Sequence, residues 1–297
     1  MEELGLKIFK YSPAETIYTI LYYGTILFSS PAKFNDPFDI SIQSVAPYDF
    51  IEKRTDSFDP LIEMILSNKL PDGNGSEVYK KIALMHSKLK HANTKQREAA
   101  RNMPRLDVWD IEAVTNSYNA LLKDLKEKIE SSGIFCASQT AHNHLLWAHY
   151  ADDHRGAVIE FSPNLEKDSM FRRMRKVTYS NERPHLYNSY KDFVTKSLTW
   201  TSNQILADYF DRITLTKSLE WEYEEEVRLV IPKPGGVTED EKLGYHNEEL
   251  KALYIGCRMD NVIVAPLIAM ARARNPSVEI YKMVPDIYEY KLNPILI

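Results

Sequence analysis

Three short polar stretches hold most of the residue types that could do chemistry: FNDPFD (34–39), HLLWAHYADDHRGAVIEF (144–161) and WEYEEEVRLV (221–230). The last is the sharpest. Read as a strand, its alternation turns Trp221, Tyr223, Glu225, Val227, Leu229 and Ile231 to one face. Glu222, Glu224, Glu226 and Arg228 fall on the other. The first face is mostly apolar and belongs in a core. The second is either a solvated sheet face, the commoner outcome, or the floor of a polar cleft. Two carboxylates at i, i+2 beside an arginine suit acid/base work or the stabilisation of a developing cation. Close carboxylates repel, so one should hold its proton more tightly unless Arg228 or Lys217 offsets the repulsion.

FNDPFD has the chemistry of a turn. Asn35 and Asp36 tolerate unusual dihedrals, Pro37 sets the chain direction, and Phe34 and Phe38 are placed to anchor the turn on a core. A structural turn is the plainer reading. The alternative is that Asn35, Asp36 or Asp39 lines a pocket mouth, with Ser29 and Ser30 just upstream. The middle stretch, with the AHN before it, carries His142, His144, His149 and His154, four of the eight histidines. No HExxH and no cysteine at ligand spacing accompany them, so no metal is expected. As a short helix, this segment sets Leu145 beside His149 and Leu146 beside Tyr150. A core role and a site role both remain open for His149 and Tyr150. Farther on, Ala157, Ile159 and Phe161 alternate with Val158 and Glu160, and an acid inside an apolar strand needs a partner.

The elements that must position these residues can be read from periodicity. Residues 6–11 are strand-like; Pro13 then opens a helix whose Ile17, Ile20 and Leu21 form a stripe ending at Gly24. TILF (25–28) is a second strand. From about 60 to 132 the pattern is helical, with Val114, Tyr118, Leu121, Leu122, Leu125 and Ile129 at helical spacing. LPDGNGSE is a loop there, and HANTKQREAARNMPRLD is charged and exposed. Strands return with GIFCAS (133–138), GAVIEF (156–161) and KVTYS (176–180), and Trp200 to Ile213 marks another helix. The tail adds YEEEVRLVI, ALYIGC, a helix near 261–274, VEIYKMV and IYEYKL. The expectation is an α+β fold, one domain over 1–297, with a single mixed β-sheet core, flanking helices and a helical insertion at 50–130.

The 297 residues carry a net charge of −5, with 44% hydrophobic and 27% charged residues, as a protein with a real core does. Nothing global points to nucleic acid or membrane, although Arg172, Arg173, Arg175 and Lys176 cluster in FRRMRKV. The two cysteines, Cys136 and Cys257, are far apart and suggest a reducing compartment. The N-terminus lacks the apolar core of a signal peptide, and no apolar stretch is long enough to span a bilayer. A soluble cytoplasmic protein is the expectation.

KYSPAETIYTILYYGTILFSSPAKFNDPFD, LLWAHYADDHRGAVIEF and KSLEWEYEEEVRLV together resemble a bacterial family known as domain of unknown function twenty-nine seventy-one. The resemblance runs from about Lys7 to Arg228, on toward ALYIGCRM, and skips the helical insertion. It implies a setting in phage defence or a toxin system. More distantly, the opening strand–helix–strand and the later Glu-x-Glu strand are similar to the layout of ADP-ribosyltransferase folds. That resemblance implies NAD as substrate. Glu226 would be the catalytic glutamate beside the developing ribosyl cation, and Glu224 its partner toward the acceptor. Ser29 or Ser30 would fill the second-strand polar position. Lys10, followed by Tyr11, stands where those enzymes have Arg or His, and a lysine offers a point charge without a bidentate fork. Asn35, Asp36, His149, Tyr150 and Arg228 would complete the nucleotide-binding set. The acceptor, protein or nucleic acid, stays open, as does a partner protein of a defence or toxin–antitoxin system. The absence of a Gly-rich phosphate loop argues against a Rossmann oxidoreductase. Two other readings stand beside this one. One is a nucleic-acid-directed effector or nuclease acting through FRRMRKV. The other is a non-catalytic sensor or binding module in which Glu160, Arg228, His149 and Asp36 tie structural networks together.

Overall fold

The computed structural model describes residues 7–42, 49, 60–101, 108–232 and 241–297. Its chain divides into two units. Residues 1–40, 130–181 and 215–297 form one, and residues 41–129 with 182–214 form the other.

The first unit is α+β and is built on a mixed sheet. Its strands are β1 (Ile8–Ser12), β2 (Thr25–Phe28), β3 (Ser132–Ser138), β4 (Ala157–Phe161), β5 (Arg175–Lys176) and β6 (Thr178–Ser180). They continue with β7 (Thr216–Ser218), β8 (Glu226–Pro232), β9 (Glu241–Gly244), β10 (Leu250–Ile255), β11 (Glu279–Pro285) and β12 (Leu292–Leu296). Eight of them make one sheet in the order β12-β11-β10-β4-β1-β3-β8-β5. Only β10 and β11 run parallel within it, and the helix Asn261–Arg274 supplies the crossover such a pair needs. The sheet is not single: β2 pairs with β9, and β6 with β7, in separate two-stranded sheets.

Period-two patterning decides the faces. Ala157, Ile159 and Phe161 pack with Ile8, Phe135, Val227 and the Ile17/Ile20/Leu21 stripe of the helix Ala14–Tyr23. Val158 turns the other way, onto Phe9, Tyr11, Leu146 and Trp147. That helix stops where Gly24 takes a left-handed φ of 67° and donates its N–H to Ile20. Glu160 finds its partner in the Tyr254 hydroxyl at 2.7 Å, with Lys7 at 3.3 Å. Before β4, Asp152, Asp153 and His154 take positive φ in succession, and a Cβ on Gly156 would lie 2.3 Å from the Ser12 carbonyl. Only glycine lets the chain turn there and lie against β1.

Three local expectations change. The strand of WEYEEEVRLV starts only at Glu226, because Leu219–Glu224 is a 3₁₀ turn closed by Glu225 at φ 45°. Uniform strand would have lined three glutamates along one face; the turn leaves Glu222 and Glu225 exposed and buries Glu224 and Glu226. The last strand is Leu292–Leu296 rather than IYEYKL, since the Asp286 carboxylate accepts from the N–H groups of Tyr288 and Glu289 and makes a turn of that stretch. Phe38, expected on the core, is 67% exposed.

The second unit is helical: Pro60–Leu66, Glu77–Leu89, Thr94–Arg101, most of Ile111–Glu130, Tyr190–Thr199 and Ser202–Thr214. In Ile111–Glu130 the buried residues are Tyr118, Leu121, Leu125 and Ile129, as the spacing predicts. The LPDGNGSE loop is held by the Asn74 amide, which donates to the carbonyls of Ser197 (2.8 Å) and Trp200 (2.9 Å).

Candidate functional site

The sheet has a gap. β3 meets β1 only where Phe9 faces Ser138, and farther along the same edge Ile134 bridges Ser29 at the end of β2. Between them the Cys136 carbonyl has no strand partner, and the Lys10 ammonium reaches across to donate to it at 2.9 Å. A cavity of about 370 Å³ opens here. Lys10, Tyr11, Ser29, Lys33, Asn35, Asp39, Cys136, Ser138, Tyr150, Lys217, Glu224 and Glu226 are its polar and titratable lining, with Phe9, Leu27, Phe34 and Leu146 between them.

Each wall has a local cause. Glu226 opens β8 opposite Ser138, and its N–H donates to the Tyr179 hydroxyl at 2.7 Å. The 3₁₀ turn before it is pinned from β3 and beyond: Ser138 donates to the Glu224 carbonyl (2.7 Å) and Asn143 to that of Tyr223 (2.6 Å). Asn143 also caps the helix His144–Tyr150, which carries Tyr150 to the cavity. The FNDPFD turn forms because the Asp36 carboxylate accepts from the Phe38 N–H at 2.9 Å, and it delivers Asn35 and Asp39.

The charges form one chain. Arg228, 1% exposed, gives Nε to Glu226 Oε1 (2.8 Å) and Nη2 to Oε2 (2.9 Å). Its Nη1 also donates to Asp39 Oδ1 at 2.9 Å. Lys217 bridges Glu224 and Glu226 at 2.5 and 3.1 Å, and the Tyr150 hydroxyl donates to Glu224 at 2.7 Å. Burial alone would raise both glutamates. For Glu226, Arg228 and then Lys217 outweigh burial and hold the carboxyl down at about 2. For Glu224, burial wins over Lys217 and Tyr150, and the carboxyl sits above its ordinary range. Burial also depresses Lys10 and lifts Cys136 well above the usual thiol range, the latter helped by the adjacent Glu226. The cavity therefore holds one carboxylate fixed as a charge, Glu226, beside two carboxyl groups that burial holds above their ordinary range, Glu224 and Asp39, with Lys10 making no ion pair among the described residues.

Of the residues singled out in the sequence, Lys10, Tyr11, Ser29, Asn35, Asp39, Tyr150, Lys217, Glu224 and Glu226 meet in this cavity, and Arg228 stands behind Glu226. Ser30 and Asp36 are buried beside it without lining it. His149 is exposed, because the helix turns Leu145 and His149 outward and Leu146 and Tyr150 inward. Among the described residues no bond joins Glu160, Arg228, His149 and Asp36 to one another: Glu160 bonds Tyr254, and Arg228 bonds Glu226 and Asp39. Arg172, Arg173, Arg175 and Lys176 are exposed at β5, the sheet's edge, and in the turn before it. Cys136, Lys33, Ser138 and Tyr179 were not foreseen. Their roles follow from strand register, which no local spacing announces. Among the described residues, no group of three or more His, Cys, Asp or Glu could hold a metal, and no helix is long and apolar enough to cross a membrane.

Residues 146–229 match the model of a family described as "Protein of unknown function (DUF2971)". Over this segment the chain is similar to that family. No curated protein and no solved structure gives a match. The DUF2971 segment holds Tyr150, Tyr179, Lys217, Glu224, Glu226 and Arg228. The opposite wall, Lys10, Ser29, Asn35, Asp39 and Cys136, comes from outside it.

Proposed function

We propose that the cavity binds NAD and breaks the bond between nicotinamide and ribose, passing ADP-ribose to an acceptor as an effector of a bacterial defence or toxin system. The observation that carries this reading is the meeting of three separate strand positions around one cavity. Lys10 comes from β1, Ser29 from the end of β2, and Glu226 from the start of β8, with Glu224 in the 3₁₀ turn just before it. These are the positions that an ADP-ribosyltransferase layout assigns to its site, and an open gap in the sheet lies between them. The cavity, about 370 Å³, falls in the range of ligand pockets, ~300–1,000 Å³.

The two carboxyl groups divide the work. Both oxygens of Glu226 accept from Arg228, so Glu226 acts as an oriented negative charge rather than a proton carrier. Placed beside the ribose C1′, it stabilises the positive charge that develops as the C–N bond breaks and its electron pair neutralises the pyridinium ring. The acceptor then forms a bond to C1′ and gives its proton to Glu224, the group whose carboxyl sits above its ordinary range. Lys10 offers a cation to the phosphates.

Nicotinamide release from NAD by the purified protein, with and without candidate protein and nucleic-acid acceptors, tests the proposal. Glu224→Gln is the informative variant, because it keeps an acceptor for Tyr150 and leaves the Glu226–Arg228 pair intact. A loss of about 10²–10⁴-fold is expected. No release, or release unchanged in both Glu224→Gln and Glu226→Ala, would sink the reading.

A further inference from the structure

The helices Glu77–Leu89 and Thr94–Arg101 make a strongly basic hairpin in the helical unit. Residues 77–101 hold seven Lys and Arg against two Glu, a net of +5 in a chain whose total is −5. Three of the seven have internal work. Lys80 pairs with Glu77 (2.6 Å), Arg101 with Glu63 (2.8 Å), and Arg97 donates to the carbonyls of Leu66 (2.8 Å) and Lys90 (3.3 Å). The other four, Lys81, Lys88, Lys90 and Lys95, are exposed and make no ion pair among the described residues.

Their placement is not explained by helix stability alone. Lys88 and Lys90 lie at a helix C-terminus, where cations are favoured. Lys95 lies in the first turn of the next helix, which holds no acid, and a cation there opposes the helix dipole. Lys81 and Lys88 are two turns apart, so they share one face at a spacing of roughly 10 Å. The apolar sides of both helices are taken up inside the unit, through Ile82 and Ala100. Leu84 is the one exposed large apolar side chain of the hairpin, so the apolar stripe by which a basic helix enters a bilayer is missing.

We propose that this hairpin binds the phosphate backbone of a nucleic acid without reading its sequence. Affinity then comes from counterion release and falls with salt. The proposal stands apart from the chemistry assigned to the cavity.

The test is fluorescence anisotropy with labelled single-stranded RNA, single-stranded DNA and duplex DNA across a salt series. The intact protein is compared with the quadruple variant Lys81→Glu, Lys88→Glu, Lys90→Glu, Lys95→Glu, and with the milder Lys→Gln set should the first misfold. Binding by the intact protein is expected. In the variant the slope of log affinity on log salt should be smaller by about 3, at ~0.7–0.9 for each phosphate no longer neutralised. Absence of binding at low salt overturns the proposal, and so does unchanged affinity and slope in both variants. Binding only to anionic lipid vesicles also overturns it. So does loss of binding in Arg172→Glu, Arg173→Glu, Lys176→Glu while the hairpin variants still bind.

Discussion

In the helical unit, Lys196 sits between Asp192 and Asp208, both at 3.1 Å, and Arg212 also holds Asp208 at 2.8 Å. In the sheet unit, Lys217 sits between Glu224 and Glu226, and Arg228 also holds Glu226. The composition is the same, a lysine shared by two acids with an arginine on one of them. The surroundings differ. The side chains of Asp192 and Asp208 are 25% and 30% exposed, whereas those of Glu224 and Glu226 are each 6% exposed. For Asp208, burial pushes the carboxyl up but Arg212 and Lys196 outweigh it, and the group stays below its ordinary range. For Glu224, burial prevails. The partly exposed carboxylates of the first cluster stay ionised ties between two helices; burial beside a cavity holds a carboxyl of the second above its ordinary range.

The largest expected break in this comparison comes from the arginines. Arg228→Ala removes the cation that Asp39 and Glu226 share, leaving Glu226 with Lys217 alone, and should cost about 3–5 kcal/mol in denaturant unfolding. Arg212→Ala, in the half-exposed cluster, should cost about 1 kcal/mol or less. Equal losses would erase the distinction.

Acid comes next. Glu226 is depressed to about 2 in the folded state, against ~4.3 when unfolded. Its contribution is therefore complete above pH ~4.3 and disappears as the pH falls toward 2. Glu226→Gln should flatten the acid limb of stability over that window, by about 3 kcal/mol in total. An acid limb unchanged in Glu226→Gln would mean that Arg228 does not hold this carboxylate in solution.

A smaller effect is expected at Tyr150, whose hydroxyl donates to Glu224 at 2.7 Å. Tyr150→Phe should cost about 0.5–1.5 kcal/mol and move Glu224 further up, which a carboxyl-detected NMR titration reads. A downward move would contradict the assignment of that hydrogen bond.

How much of this could be read beforehand depended on range. The helix ending at Gly24, the two faces of Ala157–Phe161 and the need of Glu160 for a partner follow from nearest neighbours, and the structure agrees. The meeting of Lys10, Ser29 and Glu226 could be expected only through a family likeness, because they lie on three strands. Strand alternation puts Glu224 on the right face for the wrong reason. It lies on a 3₁₀ turn rather than a strand, held by Ser138 and Asn143 some eighty residues away. His149 looked as good as Tyr150 because a seven-residue helix shows too few turns to say which side faces inward. Lys217 could be named as a counter-charge, but its place between two carboxylates depends on β7 pairing with β6. Cys136 carried no signal at all; the gap between β1 and β3 puts it in the cavity.

The pH dependence of nicotinamide release from NAD bears most directly on the central claim, that the cavity pairs a fixed carboxylate with a proton-accepting one. The expected rate of release rises with pH through an ionisation above the ordinary 4.5 of a glutamate, with Glu224→Gln leaving a low, flat residue of activity. No release at any pH, or the same profile in Glu224→Gln, would contradict it.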